Sequence, residues 1–367
     1  MSLLTPSAAR VHFGLLLVLR VTSGVGGGVL LPAVHALIAR WSTPKYLSFV
    51  VSAMFTGIDA GIVVGMLVSG VLSDYGFAGG WPSVFYVFGV VGCVWSTAWF
   101  LLCYDSPSVH PRMSSAERDY WRSAVGTVNL VARPPTPWRK ILTSLPVWAL
   151  AVAYFANLWG YYTLVSCVPL FMHDVLGFNM TKNGLLSALL LMSGGFVIPF
   201  ALLSDWLRSP GRLSTNVVRK ASCVIGSVST ACMFILAGYT GCNRALAVTV
   251  MFTASACISY PLVSVNQLDL APLHAGKIMG LTHFVGSLGS IAAPHAVGAL
   301  TYRRSSRAEW QHVFYVAAGV LTVGAVVFVI FGSGERQSWA KRAESDGHDE
   351  PTTVCQPEKL AMIEQTV

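Results

Sequence analysis

The sequence predicts an all-α polytopic membrane protein with nine transmembrane helices, and three observations carry that expectation. Apolar stretches near residues 12–38, 48–73, 82–104, 144–172, 182–204, 216–238, 245–265, 277–300 and 311–332 are each long enough to cross a hydrocarbon core of about 30 Å as a helix. Soluble proteins do not stack such runs one after another. Hydrophobic residues make up 54% of the 367 and charged ones 11%, with a mean hydropathy of +0.61, which leaves little from which to build a soluble domain. Basic residues also divide by side. With both ends of 105–143 in the cytosol, Arg40, Lys45, Arg112, Arg118, Arg122, Arg133, Arg139, Lys140, Arg208, Arg212, Arg219, Lys220, Lys277, Arg336, Lys341, Arg342 and Lys359 lie there. Only Arg10, Lys182, Arg244, Arg303, Arg304 and Arg307 lie opposite, seventeen against six, with Arg20 inside a span. That asymmetry places the chain start on the lumenal or extracellular side and the tail after Gly332 in the cytosol.

Taken in order, the first span opens after Arg10 like a signal peptide. Arg20 interrupts that pattern, and apolar character resumes through Pro32 to Ile38 with no small-residue cleavage site, so one long helix and no cleavable leader are expected. Gly24, Gly26, Gly27 and Gly28 remove side chains there and let neighbouring helices approach closely. They are not a nucleotide loop, which needs a preceding strand and a helix start in water. Asp59, in the second span, is the only acid deep in the first three. Residues 1–104 thus form a partial amino-terminal helix bundle of three spans, and 105–143 form a polar cytosolic loop in which Pro134, Pro135 and Pro137 stiffen the approach to the next span. Residues 144–332 supply a carboxy-terminal six-helix bundle, and 333–367 a polar cytosolic tail. Transporters built from two six-helix bundles enclose their site between them.

Several function classes are excluded. A net charge of +8 and a pI near 9.1 could serve nucleic acid, but the basic residues are scattered singly through short loops without the clustered face that phosphate binding needs. The eight cysteines, never spaced C-x-x-C, suit packing and indicate neither zinc nor a disulfide framework. No Ser/His/Asp set, metal spacing or carboxylate pair argues for an enzyme, and no cofactor is implied. Asn179-Met180-Thr181 is a glycosylation sequon on the non-cytosolic side, close to the membrane.

Collinear segments carry a resemblance. They run from "LRVTSGVGGGVLLPAVHALIARW" (19–41) through "GWPSVFYVFGVVGCVW" (80–95), "SPSVHPRMSSAERDY" (106–120), "PWRKILTSLPVWALAVAYFANLWGYYTL" (137–164) and "NGLLSALL" (183–190). "LSDWLRS", "LSTNVVRK", "VNQLDLAPLHAGKIMGLT" (265–282), "EWQHVFYVAAG" (309–319) and "GSGERQSWA" (332–340) continue the order. Together they resemble the anion:cation symporter family of the major facilitator superfamily, which contains sialin, the vesicular glutamate transporters and phosphate-transport-like carriers. By that resemblance the first span corresponds to the fourth helix of a twelve-helix carrier. Three helices are then missing, with an arginine of the family's first helix that is held to contact the anion. A shortened isoform or an incompletely read gene is the expectation, with weak or no transport by the chain alone.

Within that frame, Arg20 is the first candidate for the anion, since a guanidinium stays protonated and meets carboxylate or phosphate through paired donors. An ion pair with Asp59 is its alternative. Family members keep an arginine at the Arg20 position, whereas acids expected at Ser23 and Gly27 are absent here and Asp59 is the substitute for ion coupling. His35 matches a family histidine and titrates in a range suited to an acidic lumen, with a plain helix contact as the alternative. Tyr161 and Tyr162, after Trp159, match cavity-facing positions that could equally be packing. Asn157 stands where glutamate carriers place an arginine, which argues against glutamate. His283 and His295 match no family histidine. Asn266 and Asp269, beside Pro272, are expected as gating or capping residues, and Asp205, Arg208 and Arg212 resemble the superfamily's charged loop motif, which latches helix ends.

The expected function is secondary-active transport of an organic anion by alternating access, coupled to a proton or sodium gradient or to membrane potential. Sialin-like acidic sugars or amino acids lead, then glutamate and inorganic phosphate. A non-transporting membrane fragment that associates with a full-length carrier is the alternative. Partners are then a small anion, a coupling ion and the lipid bilayer of a vesicle, lysosome or plasma membrane; "EKLAMI" (358–363) loosely resembles a sorting signal.

Overall fold

In the computed structural model the described residues are 1–43, 46–107, 110–117, 136–177, 186, 188–190, 192–209, 212–241, 243–258, 263–302 and 306–340. The sequon at 179–181, the "EKLAMI" segment, Lys45, Arg118 and the first part of the predicted span 182–204 lie outside them.

All regular structure among the described residues is helical. A short helix α1 (Thr5–Val11) precedes three long ones: α2 (Phe13–Trp41), α3 (Leu47–Tyr75) and α4 (Trp81–Leu102). A one-turn helix α5 (Trp138–Leu142) leads into α6 (Leu145–Tyr162), a π-helical turn (Thr163–Cys167) and α7 (Val168–Asp174). Then follow α8 (Val197–Leu207), α9 (Thr215–Gly238), α10 (Arg244–Ile258), α11 (Val263–Leu270), α12 (Ala275–Thr301) and α13 (Arg307–Phe331).

Six of these stretches are long and apolar enough to cross a membrane: Phe13–Trp41, Leu47–Tyr75, Trp81–Leu102, Thr215–Gly238, Pro272–Thr301 and Arg307–Phe331. The sequence predicts nine, a count that the described residues do not confirm. The span near 144–172 carries a π turn between α6 and α7, and the described part of that near 245–265 forms α10 and α11. Within the span near 182–204, a 3₁₀ turn (Ser193–Phe196) stands before α8. Pro32 and Pro294 sit inside α2 and α12 without ending them, as neighbouring helices permit in a bilayer.

Close packing of α6 against α12 organises the carboxy-terminal helices. Gly286 and Gly289 make it possible: a Cβ at Gly286 would lie 2.5 Å from Tyr154 Cδ1, and one at Gly289 would lie 2.5 Å from the Phe155 carbonyl oxygen. Small residues bring helix backbones together where lipid tails supply no hydrophobic drive. Around this pair lie two apolar clusters. One gathers Phe171, Phe234, Trp310 and Phe314; the other gathers Ile141, Leu150, Tyr154, Met279 and Phe328.

A third cluster joins the two parts of the chain. Ile38, Leu47 and Val51 of α2 and α3 meet Ala201, Val265, Leu268 and Ala275 of α8, α11 and α12. It lies at the basic end, the one that the loop charges assign to the cytosol, where α2 finishes and α3 begins. There α2 also runs close to α12, since a Cβ at Gly276 would lie 2.6 Å from the Pro32 carbonyl oxygen.

Replacing Gly289 by valine puts two methyl groups against the α6 backbone and is expected to cost about 1–3 kcal/mol. Thermal unfolding of the detergent-solubilised protein checks this, and an unchanged midpoint contradicts the packing described.

Candidate functional site

At the basic end, α8, α9, α11 and α3 bring together six polar side chains. Asp269 Oδ2 accepts from Arg219 Nε at 2.7 Å, and Asp269 Oδ1 accepts from Arg208 Nη2 at 3.3 Å. Arg208 Nη1 reaches Asp205 Oδ1 at 3.4 Å, one helical turn away. Arg219 Nη1 donates to Ser48 Oγ at 3.0 Å and to Ser204 Oγ at 3.4 Å. Asp205 Oδ2 accepts the Phe49 backbone N–H at 3.0 Å.

The Arg219 side chain is only 1% exposed and that of Asp269 6%. Charges so far from water persist only when paired and hydrogen-bonded. The Phe49 contact adds a second stabilisation. The first N–H groups of a helix lack intrahelical acceptors, and α3 has no side-chain cap of its own at Tyr46. A carboxylate from α8 serves instead, where the helix dipole favours negative charge. Burial, then the neighbouring Arg219, weakens the hold of Arg208 on its proton, and Asp269 and Asp205 oppose that.

Arg219 is the main residue that the sequence reading missed as a site residue, since it entered only the count of basic residues on the cytosolic side. The signal was there. The buried face of α9 runs Val218, Arg219, Ser222, Cys223, Gly226, Ser227 and Thr230, so Arg219 falls on the inward stripe. Arg212, expected with Asp205 and Arg208, instead lies over the Trp206 ring at 3.5 Å. Asn266, expected beside Asp269 at the helix end, is fully buried and donates from Nδ2 to the Ser333 carbonyl at 2.9 Å.

Deeper along α3, Asp59 Oδ1 accepts from Tyr161 Oη at 3.0 Å. The expected alternative of an Arg20–Asp59 ion pair is not formed: Arg20 is exposed and lies 5.2 Å from the Phe85 ring centroid, over α4. Ser48, Ser52, Thr56 and Asp59 recur at helical spacing on one face of α3, and the Ser52 and Thr56 hydroxyls are buried without a hydrogen-bond partner. This face connects the charged cluster with Asp59.

The other sequence candidates are placed as follows. Asn157 Nδ2 donates to the Ile258 carbonyl at 3.0 Å, tying α6 to α10. Tyr162 packs edge-on against Tyr161 with centroids 5.6 Å apart. His35 is fully buried, with Nδ1 3.0 Å from the Leu31 carbonyl oxygen. His283 lies beside Tyr154 at 5.8 Å, and His295 Nδ1 stands 2.9 Å from the Ile291 carbonyl oxygen. Among the described residues no group of three or more His, Cys, Asp or Glu could hold a metal ion.

The sequence pattern of the Major Facilitator Superfamily matches residues 1–294. The chain belongs to that superfamily. Within it, the relatives point to the anion:cation symporter branch. The chain is 38% identical over 368 residues to vesicular glutamate transporter 3 of Danio rerio, covering 98% of this chain and 61% of that protein. It is 38% identical over 352 residues to vesicular glutamate transporter 2 of Homo sapiens, covering 94% and 60%. A putative inorganic phosphate cotransporter of Drosophila ananassae is 36% identical over 367 residues, covering 98% and 76%. The chain thus spans about three fifths of the length of the glutamate transporters it matches. A solved structure of the proton:xylose symporter XylE, bound to 6-bromo-6-deoxy-D-glucose, superposes with a TM-score of 0.62 at 14% identity, covering 90% of this chain and 74% of that one. It shares the superfamily fold. These relatives are membrane transporters, and this chain is an integral membrane protein.

Removing the central acid tests the cluster. Asp269→Ala leaves Arg219 and Arg208 facing each other in a buried setting and is expected to destabilise the protein by about 3–5 kcal/mol. Thermal unfolding in detergent is the measurement, and a loss no larger than that of an exposed-residue alanine variant contradicts it.

Proposed function

We propose that the chain acts in secondary-active transport of a small organic anion across a membrane by alternating access. The observation that carries this reading is the pair of polar links between α3 and the carboxy-terminal helices: the Arg219–Ser48 and Asp205–Phe49 contacts at one end, and Asp59–Tyr161 further along. Helices that must separate and rejoin need contacts that are specific and can be exchanged for water. Hydrogen bonds between charged groups and helix ends meet that need better than an apolar seam.

In this reading the nine predicted spans form a three-helix and a six-helix bundle, and the basic end faces the cytosol. Asp205, Arg208, Arg219 and Asp269 act as the gate on that side, closed in this conformation. Asp59 is the coupling residue. As a carboxylate it accepts from the Tyr161 hydroxyl, and once protonated it becomes a donor as well, so a proton changes the link between the two parts. Arg20, His35, Tyr161, Tyr162 and Asn157 are the substrate-facing candidates. The names of the relatives support glutamate and inorganic phosphate alongside sialin-like acids as substrate classes, and vesicle membranes as the location. Asn157, engaged with the Ile258 carbonyl, weighs against glutamate. Sodium is the alternative coupling ion.

A second reading rests on the exposure of Arg20, Val21, Val25 and Val29 along α2. A bilayer-facing arginine asks for a partner, so the chain would associate with a full-length carrier without transporting by itself.

Uptake of radiolabelled sialic acid, glutamate and phosphate into proteoliposomes under an imposed proton gradient separates the two. Transport predicts gradient-driven uptake that Asp59→Asn reduces at least about tenfold while exchange of preloaded anion continues. Retention of gradient dependence in Asp59→Asn removes Asp59 from coupling. Absence of uptake, with co-purification of a full-length relative, favours the second reading.

A further inference from the structure

The chain does not leave the helices when α13 ends. From Gly332 to Ala340 it folds back across the basic end and makes three separate hydrogen bonds to helix termini. Asn266 of α11 donates to the Ser333 carbonyl at 2.9 Å. Asn216 of α9 accepts the Gly334 N–H at 3.1 Å, and Leu270 of α11 accepts the Gln337 N–H at 3.0 Å. The contact is too close for a side chain at 334: a Cβ there would lie 2.8 Å from Asn216 Cα and 2.9 Å from its nitrogen. Ala340 is buried, in the cluster that contains Leu270 and Phe328, and Trp339 lies parallel to the His274 ring with centroids 6.3 Å apart.

Two of the three attachment points share a register with the charged cluster. Asn216 precedes Arg219 by three residues on α9, and Asn266 precedes Asp269 by three residues on α11. Three residues is close to one helical turn, so each anchor stands one turn from a member of the ion pair. A segment bound to both anchors fixes how far apart α9 and α11 lie at that level. It thereby fixes the separation of the Arg219 and Asp269 Cα atoms, on which the 2.7 Å hydrogen bond depends.

We infer that Gly332–Ala340 is a strap whose residues Gly334, Gln337 and Trp339, with Asn216 and Asn266, position the Arg219–Asp269 pair and so set how firmly α3 is held at the basic end. These are positioning residues, since the hydrogen bonds given above tie them to α9 and α11 and not to α3. The inference rests on the gating reading of the charged cluster.

The test reads closure directly and needs no transport. Ser52 is 2% exposed on α3 and covered while this end is closed, so labelling of a Ser52→Cys reporter by a membrane-impermeant maleimide follows opening. Unsubstituted protein supplies the background from native thiols. Gly334→Val, which collides with Asn216, and Gln337→Pro, which removes the backbone donor to Leu270 and the side-chain donor to the Glu335 carbonyl, are each expected to raise the labelling rate by about threefold or more, the scale of one lost hydrogen bond. Asp269→Asn raises it as well, and Gly334→Val adds nothing further on that background. If Asp269→Asn opens the reporter and neither strap variant does, the strap is overturned and the gate stands. Independent, additive increases place the strap's effect elsewhere and overturn it too. No increase in any variant removes the gate and the strap together.

Discussion

A carboxylate held between two guanidiniums, away from water, is the constraint that organises the basic end of this molecule. Asp269 pairs with both Arg219 and Arg208, with Asp205 as the second acid, and each arginine has more donors than one acid can occupy. One further nitrogen of each arginine reaches outward, Arg219 Nη1 to Ser48 and Ser204 and Arg208 Nη1 to Asp205, and Asp205 passes the chain on to the first turn of α3. A buried ion pair contributes little net stability compared with an apolar core of the same volume, yet breaking it is costly. Its physical value lies in discrimination: the hydrogen bonds seen here need one register of α3, α8, α9 and α11, although Arg208 Nε and Arg219 Nη2 are buried without a partner in it.

Underneath the charges lies the apolar cluster of Ile38, Leu47, Val51, Ala201 and Leu268. The two layers do different work. The apolar layer holds the helices together without regard to fine register, and the polar layer selects the register. Away from this end, α2 and α4 turn most of their surface outward, with Val21, Val25, Val29, Val90, Val94 and Phe100 exposed. The amino-terminal helices therefore depend on one end of the molecule for much of their attachment to the rest.

The helical class was legible in the sequence because a bilayer imposes its thickness on every run that crosses it. The wide turn after Tyr162 was not legible, since it leaves the apolar composition of its run unchanged. The same division holds for the site. Asp59 and Tyr161 both stand out as chemistry in an apolar setting, but the one partner that the sequence offers for Asp59, as an alternative, is Arg20 of the adjacent span. Its actual partner lies 102 positions away. Asp205, Arg208 and Asp269 were recognisable from motif and position. Arg219 was not, because counting basic residues by side makes no distinction between a solvated arginine and one facing inward on a helix stripe.

The π turn at Thr163–Cys167 has a wider consequence. Before it, Leu150, Ala153 and Tyr154 enter one apolar cluster; after it, Val168, Phe171 and Met172 enter another. A widened turn lets the stretch after it present a different face from the one that regular winding would bring round. One continuous rod thus serves two cores whose packing requirements need not agree. Sequence drift on one side can be absorbed at the wide turn before it disturbs the other, and the Tyr161 hydroxyl sits just before this mechanical joint.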